Sequence, residues 1–259
     1  MPFLDHLEEL RWRIFKAAGA LALGLAVGWW AVRRFRVTTL LVEPMVPYVT
    51  GGRLHAFRPT TGFFLELKLA LVVGLILAFP VVIYQVWAFL APALERRERR
   101  VIIPSLYMGT VLFAAGAAMA YWIALPVSLR FLFGFQQDFL ALTIGADEYL
   151  SFVVRLLVGF GLVFELPVVV LILSVLGLVT PRFLRAKRKH AVVLITVTAS
   201  VLSPGDVIMV TLLMMAPLLL LYEFSILLSV LVTRGAPAED EPTIAPPAVE
   251  PPEGAVEAR

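Results

Sequence analysis

The run LSFVVRLLVGFGLVFELPVVVLILSVLGLV, residues 150–179, decides the fold class. Only Arg155 and Glu165 carry charge in it. It exceeds the ~20 mostly apolar residues that an α-helix needs to cross a bilayer core. Outward from it stand five more apolar segments, at about Ile14–Val32, Leu67–Ala91, Ile102–Pro126, Ala191–Leu202 and Val207–Val232. The chain therefore reads as an all-α, polytopic membrane protein with six transmembrane helices. The composition agrees: 60% of the 259 residues are hydrophobic and 16% are charged. A soluble domain carries about 45–50% apolar and about 25% charged residues. The fifth segment is the short one, because its apolar residues rise only ~20 Å as a helix. Its neighbour across Ser203-Pro204-Gly205-Asp206 has the length to span. The pair reads as a helical hairpin, joined by a tight turn, that locally thins the bilayer.

The same composition excludes several functions. There is no cysteine, so disulfide frameworks and thiolate chemistry are absent. The net charge of +3 is small, and the basic residues fall in short blocks between apolar segments rather than along a groove, which argues against nucleic-acid binding. No nucleophile elbow, paired-histidine zinc motif, P-loop or dinucleotide fingerprint occurs. His6, His55 and His190 are scattered over different loops and give no metal-ligand set. The expectation is a protein that is not an enzyme and needs no cofactor.

Basic loop residues set the orientation. Arg96, Arg97, Arg99 and Arg100 follow the second segment, and Arg182, Arg185, Lys187, Arg188 and Lys189 follow the fourth. Both blocks are expected in the cytoplasm, which with six spans puts both termini there too. Arg33, Arg34, Arg36, Arg53 and Arg58 in the long first loop oppose the trend, but the two short loops agree with each other. The N-terminal stretch has acids, Asp5, Glu8 and Glu9, ahead of its first arginines, unlike a cleavable signal. The first loop, with Pro44, Pro47, Gly51, Gly52 and Pro59, is expected to form a small cap with a short helix. Residues 1–234 form the membrane domain, and residues 235–259, rich in Pro and Glu, are expected to be a disordered cytoplasmic tail. The Pro-Val-Val runs at Pro80 and Pro167 hint at a remote duplication and no more.

The acids near the apolar segments carry the chemistry. Glu165 lies mid-segment, where a carboxylate costs on the order of 3 kcal/mol and normally faces protein or a water-filled cavity. Desolvation favours its neutral form. Arg155 is ~15 Å of helical rise away, too far to pair, and Pro167 frees the Val163 carbonyl as a further acceptor beside the acid. Such a polar lining could receive another helix, or it could be a satisfied contact that only fixes packing. Asp206 reads as a cap for the last helix, and Glu223 lies within that helix. Leu7, Leu10 and Ile14 recur at helical spacing, so the first span begins as an amphipathic helix at the membrane surface. Glu8 and Glu9 there, and Glu95 and Glu98 among the four arginines, would by themselves be solvated surface, an exposed pair such as Glu95–Arg99 being worth ~0.3–0.5 kcal/mol.

Four ordered motifs resemble one family. His6-Leu7-Glu8-Glu9-Leu10-Arg11-Trp12-Arg13 is similar to the opening of the twin-arginine translocase C subunits, TatC. Pro80-Val81-Val82-Ile83-Tyr84-Gln85-Val86-Trp87-Ala88-Phe89-Leu90-Ala91-Pro92-Ala93-Leu94, ending in Glu98-Arg99-Arg100, looks like that family's most diagnostic block. Phe164-Glu165-Leu166-Pro167 and Ser203-Pro204-Gly205-Asp206 follow in order, so the likeness covers about Phe3 to Val232. The chain departs from the family at Ile208, Met209 and Val210, where a polar residue is frequent. The resemblance implies a concave, glove-like six-span receptor in the bacterial cytoplasmic (inner) membrane. It would bind the paired arginines of signal peptides on folded cargo, assemble in several copies with the single-span TatA and TatB, and work by proton-motive force. TatB would lie against the fifth helix. By motif position Glu9 and Glu98 would meet the arginines, and Leu10, Arg11, Phe89 and Pro92 would shape the pocket. Glu165 would be a polar site within the membrane, and Asp206 and Pro44 would belong to the periplasmic turn and cap. The fit is chemical: a guanidinium fork pairs bidentately with carboxylates, which lysine does not reproduce.

The rival reading is a proton-coupled small-solute transporter built on a midplane carboxylate, which would predict inverted repeats and paired broken helices. An intramembrane hydrolase lacks a nucleophile-and-base set. Because the chain has no native cysteine, its orientation is directly testable. Single cysteines at Arg100 and Lys189 should react with an impermeant maleimide only in inverted vesicles, and one at Arg53 only in right-side-out cells. The opposite labelling pattern would overturn the orientation.

Overall fold

The structure, a computed structural model, describes residues 3–49, 54–93, 98–134, 144–202 and 208–233, and among these the chain is nearly all helical, with no strand. Helix α1, Phe3–Arg34, begins ahead of the apolar run that starts at Ile14, as the helical spacing of Leu7, Leu10 and Ile14 leads one to expect. A short helix α2, Val37–Val42, and a 3₁₀ turn, Glu43–Tyr48, form the expected cap, with Pro44 in the turn's first residues and Met45 buried beneath it. The last carbonyls of a helix lack partners within that helix. Here the Tyr121 hydroxyl donates to the Leu40 carbonyl and the Tyr149 hydroxyl to the Leu41 carbonyl, both at 2.7 Å, so two distant helices hold the cap.

Helix α3, Thr61–Leu90, is followed by 3₁₀ turns at Ala91–Ala93 and Glu98–Val101. The third apolar run extends past Pro126 to Gly134, as α4, Ile102–Met119, a π turn, Ala120–Ala124, and α5, Leu125–Gly134. The widened turn precedes Pro126, which has no N–H for the Trp122 carbonyl. The fourth run is interrupted: α6, Ala146–Val163, and α7, Leu166–Val175, part at Phe164 and Glu165. Helix α7 ends where Gly177 adopts a φ of 69° and the Leu178 N–H donates to the Leu173 carbonyl at 2.9 Å, a left-handed glycine cap. Thr180 then caps α8, Pro181–Ala186, its hydroxyl accepting from the Phe183 N–H. Helices α9, Arg188–Leu202, and α10, Ile208–Thr233, complete the chain. The Ser203–Asp206 turn and the tail lie outside the described residues.

Five helical stretches, His6–Arg34, Thr61–Leu90, Ile102–Gly134, Ala146–Val175 and Met214–Val232, are long and apolar enough to cross a membrane. The 15 residues of α9 rise about 22 Å, short of the ~30 Å core. Large apolar side chains such as Leu23, Leu71, Val111, Leu162 and Leu220 are more than half exposed around the outside, a surface suited to lipid rather than water.

Between apolar helices in lipid, association depends on close packing more than on water exclusion. Helices α1 and α3 meet antiparallel at their backbones. A Cβ added to Gly24 would lie 2.5 Å from the Gly74 carbonyl oxygen, one on Gly74 would lie 2.6 Å from the Gly24 carbonyl, and one on Gly28 would collide with the Ala70 carbonyl. Gly24-x-x-x-Gly28 thus faces Ala70-x-x-x-Gly74-x-x-x-Ala78. Elsewhere Gly116 of α4 lies against the Phe160 backbone of α6, and the Ser174 hydroxyl bonds Ser229 at 2.8 Å, tying α7 to α10. Trp87, Leu171 and Val175 pack with Val101 and Val232, so the end of α10 lies at the same end of the bundle as the end of α3 and the start of α1. The glycine seam predicts a contrast. Gly28→Val and Gly74→Val should each lower the apparent Tm in detergent by roughly 5 °C or more, while Gly19→Val, with open space around it, should not. Equal Tm values for all three would contradict the backbone contact.

Candidate functional site

Fifteen residues separate Glu9 from Gly24, and fifteen separate Gly74 from Phe89. The seam therefore carries Glu9 and Phe89 to the same level, about 22 Å along both helices. The Arg13 guanidinium lies between them. Its Nη2 donates to Glu9 Oε1 at 2.8 Å and to the Ala88 carbonyl at 3.2 Å, and its Nη1 points at Gln85 Oε1, 3.5 Å away. The His6 ring stacks on Phe89 with centroids 4.4 Å apart, and its Nδ1 is 3.9 Å from Glu9 Oε2, the oxygen that Arg13 leaves open. The group is only half sunk: 24% of the Arg13 side chain and 27% of the Glu9 side chain are exposed, while Gln85 is buried.

Pro92 explains why an acceptor is available at the end of α3. In a continuing helix the Ala88 carbonyl would take the N–H four residues on, but residue 92 is proline and has none. Arg13 supplies the missing donor. Pro92 itself is exposed in the middle of the first 3₁₀ turn, Ala91–Ala93.

The other residues singled out from the sequence fall in three groups. Phe89 joins Glu9 through His6, whose ring stacks on it, and Leu10 is half-buried next to Glu9 on the same helix. Arg11 is exposed and turned away, its guanidinium over the Phe15 ring at 5.6 Å, so the arginine that reaches Glu9 is Arg13. Pro44 lies at the opposite end of the bundle in the cap. Glu98 starts the second 3₁₀ turn, beyond the end of α3, but its side chain, Glu95 and Asp206 lie outside the described residues. Glu223 forms an exposed ion pair with Arg188 at 2.7 Å, away from both acids of interest.

Glu165 occupies the break between α6 and α7 and is 7% exposed. The break follows from Pro167, which cannot return an N–H to Val163. Neither carboxyl oxygen has a hydrogen-bond partner among the described residues, so the satisfied-contact reading fails for them. The carboxyl rests on Gly109 of α4, where an added Cβ would come within 3.1 Å of Oε2. Val168 lines the same space. The residues that the sequence reading missed, Arg13 and Gln85, share faces with the seam glycines. Among the described residues no cluster of histidines or acids could hold a metal.

Known proteins resemble this chain over most of its length. The family model described as Sec-independent protein translocase protein (TatC) matches residues 5–217. The Sec-independent protein translocase protein TatC of Aquifex aeolicus (strain VF5) is 39% identical over 236 residues, 90% of this chain and 97% of that one. The TatC of Carboxydothermus hydrogenoformans is 36% identical over 229 residues, 88% and 93% of the two chains. A crystal structure of the twin arginine translocase receptor TatC matches with a TM-score of 0.74 at 39% identity, over 88% of this chain and 100% of that one. A second, obtained in DDM, gives 0.75 over 86% and 99%. The fold is the one in those crystals, and the resemblance read from the four motifs holds across the chain. The chain belongs to the TatC family of Sec-independent protein translocase proteins, and is a multi-pass membrane translocase subunit rather than an enzyme.

Proposed function

We propose that this chain is the core receptor subunit of a twin-arginine translocation system in the cytoplasmic (inner) membrane. It binds the paired arginines of signal peptides on folded proteins and assembles with TatA and TatB for export driven by the proton-motive force. Both termini lie in the cytoplasm, with residues 235–259 a solvated tail. The observation that carries the reading is the partly exposed carboxylate of Glu9, its Oε2 left free by Arg13, near Phe89 at the end of the bundle where α1 begins and α3 ends. Glu98, a few residues beyond α3, is the second carboxylate. A guanidinium matches a carboxylate with two parallel donors, and partial desolvation at the membrane surface strengthens the pair. The apolar part of the signal lies along the bundle, and Glu165 offers a hydrogen-bonding site within the membrane to a signal or partner helix.

Crosslinking of a twin-arginine signal peptide to the protein in membranes tests the receptor role. Glu9→Ala with Glu98→Ala should abolish the crosslink, as should a twin-lysine signal. A crosslink indifferent to both changes would sink the proposal. Glu165 gives a separate prediction. Replacing a buried, unsatisfied polar group by an apolar one of similar size is close to neutral or stabilising. Glu165→Leu should therefore keep or raise the Tm while export falls at least tenfold. Glu165→Gln shows whether ionisation matters, since it keeps shape and hydrogen bonding. A Glu165→Leu protein that exports at the normal rate would remove the intramembrane site from the mechanism.

A further inference from the structure

We propose that Arg13 is a resident guanidinium that fills the Glu9 subsite from within the chain, and that a signal-peptide arginine binds by taking over its acceptors. The inference rests on the receptor role and says how that site is held before cargo arrives. Three acceptors converge on Arg13 from two helices: Glu9 Oε1, the Ala88 carbonyl that Pro92 leaves free, and Gln85 Oε1. All are oxygens, and together they form a cradle for the planar donor fork of a guanidinium. An i, i+4 pair within α1 needs only Glu9; the oxygens of Ala88 and Gln85 belong to α3 and give the cradle its second wall.

Exchange needs no opening of the core. Arg13 and Glu9 are both partly exposed, and among the described residues Glu9 Oε2 accepts no hydrogen bond, His6 Nδ1 lying 3.9 Å away. An incoming arginine can engage Oε2 first and then displace Arg13 from Oε1 and the α3 carbonyl. The leaving and arriving groups are the same cation, so net charge in the cradle is conserved. The swap costs little, whereas a lysine would vacate the fork and return a single ammonium. Selectivity for arginine over lysine then comes from competition with Arg13 as well as from Glu9. The resident group also keeps Glu9 from being a lone half-buried carboxylate when no cargo is bound.

The test uses the full chain in lipid nanodiscs with two probes, ethylguanidinium followed by saturation-transfer NMR and a fluorescent twin-arginine signal peptide. Arg13→Ala should add a saturable ethylguanidinium signal that the unaltered protein lacks, and combining it with Glu9→Gln should remove that addition. The peptide should bind Arg13→Ala about tenfold tighter, equivalent to roughly 1.4 kcal/mol of removed competition. If Arg13 is only a brace that orients Glu9, the peptide binds Arg13→Ala more weakly, and ethylguanidinium does not distinguish it from the double variant. Either result overturns the proposal. If ethylguanidinium enters Arg13→Ala while no form of the protein prefers twin-arginine over twin-lysine peptide, the resident-guanidinium subsite stands and the receptor role falls. Arg13→Met, which keeps the apolar stem, repeats both arms should Arg13→Ala melt early.

Discussion

The backbone approach of α1 and α3 at Gly24, Gly28 and Gly74 fixes the register on which the rest of the site depends. Side chains of ordinary size would hold helices 8–10 Å apart and allow neighbouring registers to compete. Glycine removes that spacing, and the carbonyls of Ala70 and Gly74 fill the space where Cβ atoms would stand. Once Gly24 is opposite Gly74, every pair further along is determined. Arg13 comes to Gln85, Glu9 to Phe89, and at the far end Arg33 to Glu66, whose ion pair closes at 2.9 Å. The carboxylate is placed by a contact several helical turns away.

Two acids in one chain have opposite settings. Glu9 is partly wet and held by a cation from its own helix. Glu165 is buried, without a hydrogen-bond partner for its carboxyl among the described residues, and pressed on a glycine. The difference arises from two prolines placed differently. Pro92 ends a helix at the bundle's edge and releases a carbonyl that Arg13 can reach. Pro167 interrupts a helix in the interior, and the turn it imposes places Glu165 where no described side chain answers it. An unsatisfied buried carboxyl costs stability, and the family to which the chain belongs works by moving other polypeptides through a membrane.

Much of this was legible from residues alone. Apolar run length gave the spans, the short α9 included, and the isolated charge of Glu165 marked an interior site. The partner of Glu9 was less accessible. Arg11 and Arg13 follow Glu9 by two and four residues, and only the second spacing puts both side chains on one face of α1, the face turned toward α3. Arg13 lies eleven residues before Gly24, about three full turns, which puts it within about 20° of the seam. Arg11 lies thirteen before, about 140° off the seam. The Gly-x-x-x-Gly spacing held that information, and a reading centred on charge passed over it. The extension of the third span past Pro126 was hidden for another reason: hydropathy reports where lipid is, and a helix can continue past it through a widened turn.

Two rods in contact along their length, but closest at one place, can rock about that place. The Gly24–Gly74 contact is the fulcrum, and the arm out to Glu9 is about 22 Å. A rotation of about 5° between α1 and α3 would displace the carboxylate by about 2 Å. That is enough to part Arg13 from the Ala88 carbonyl while the glycines scarcely move. Mechanical advantage is thus built into the hairpin: small angular changes at the pivot become hydrogen bonds made or broken at the tip.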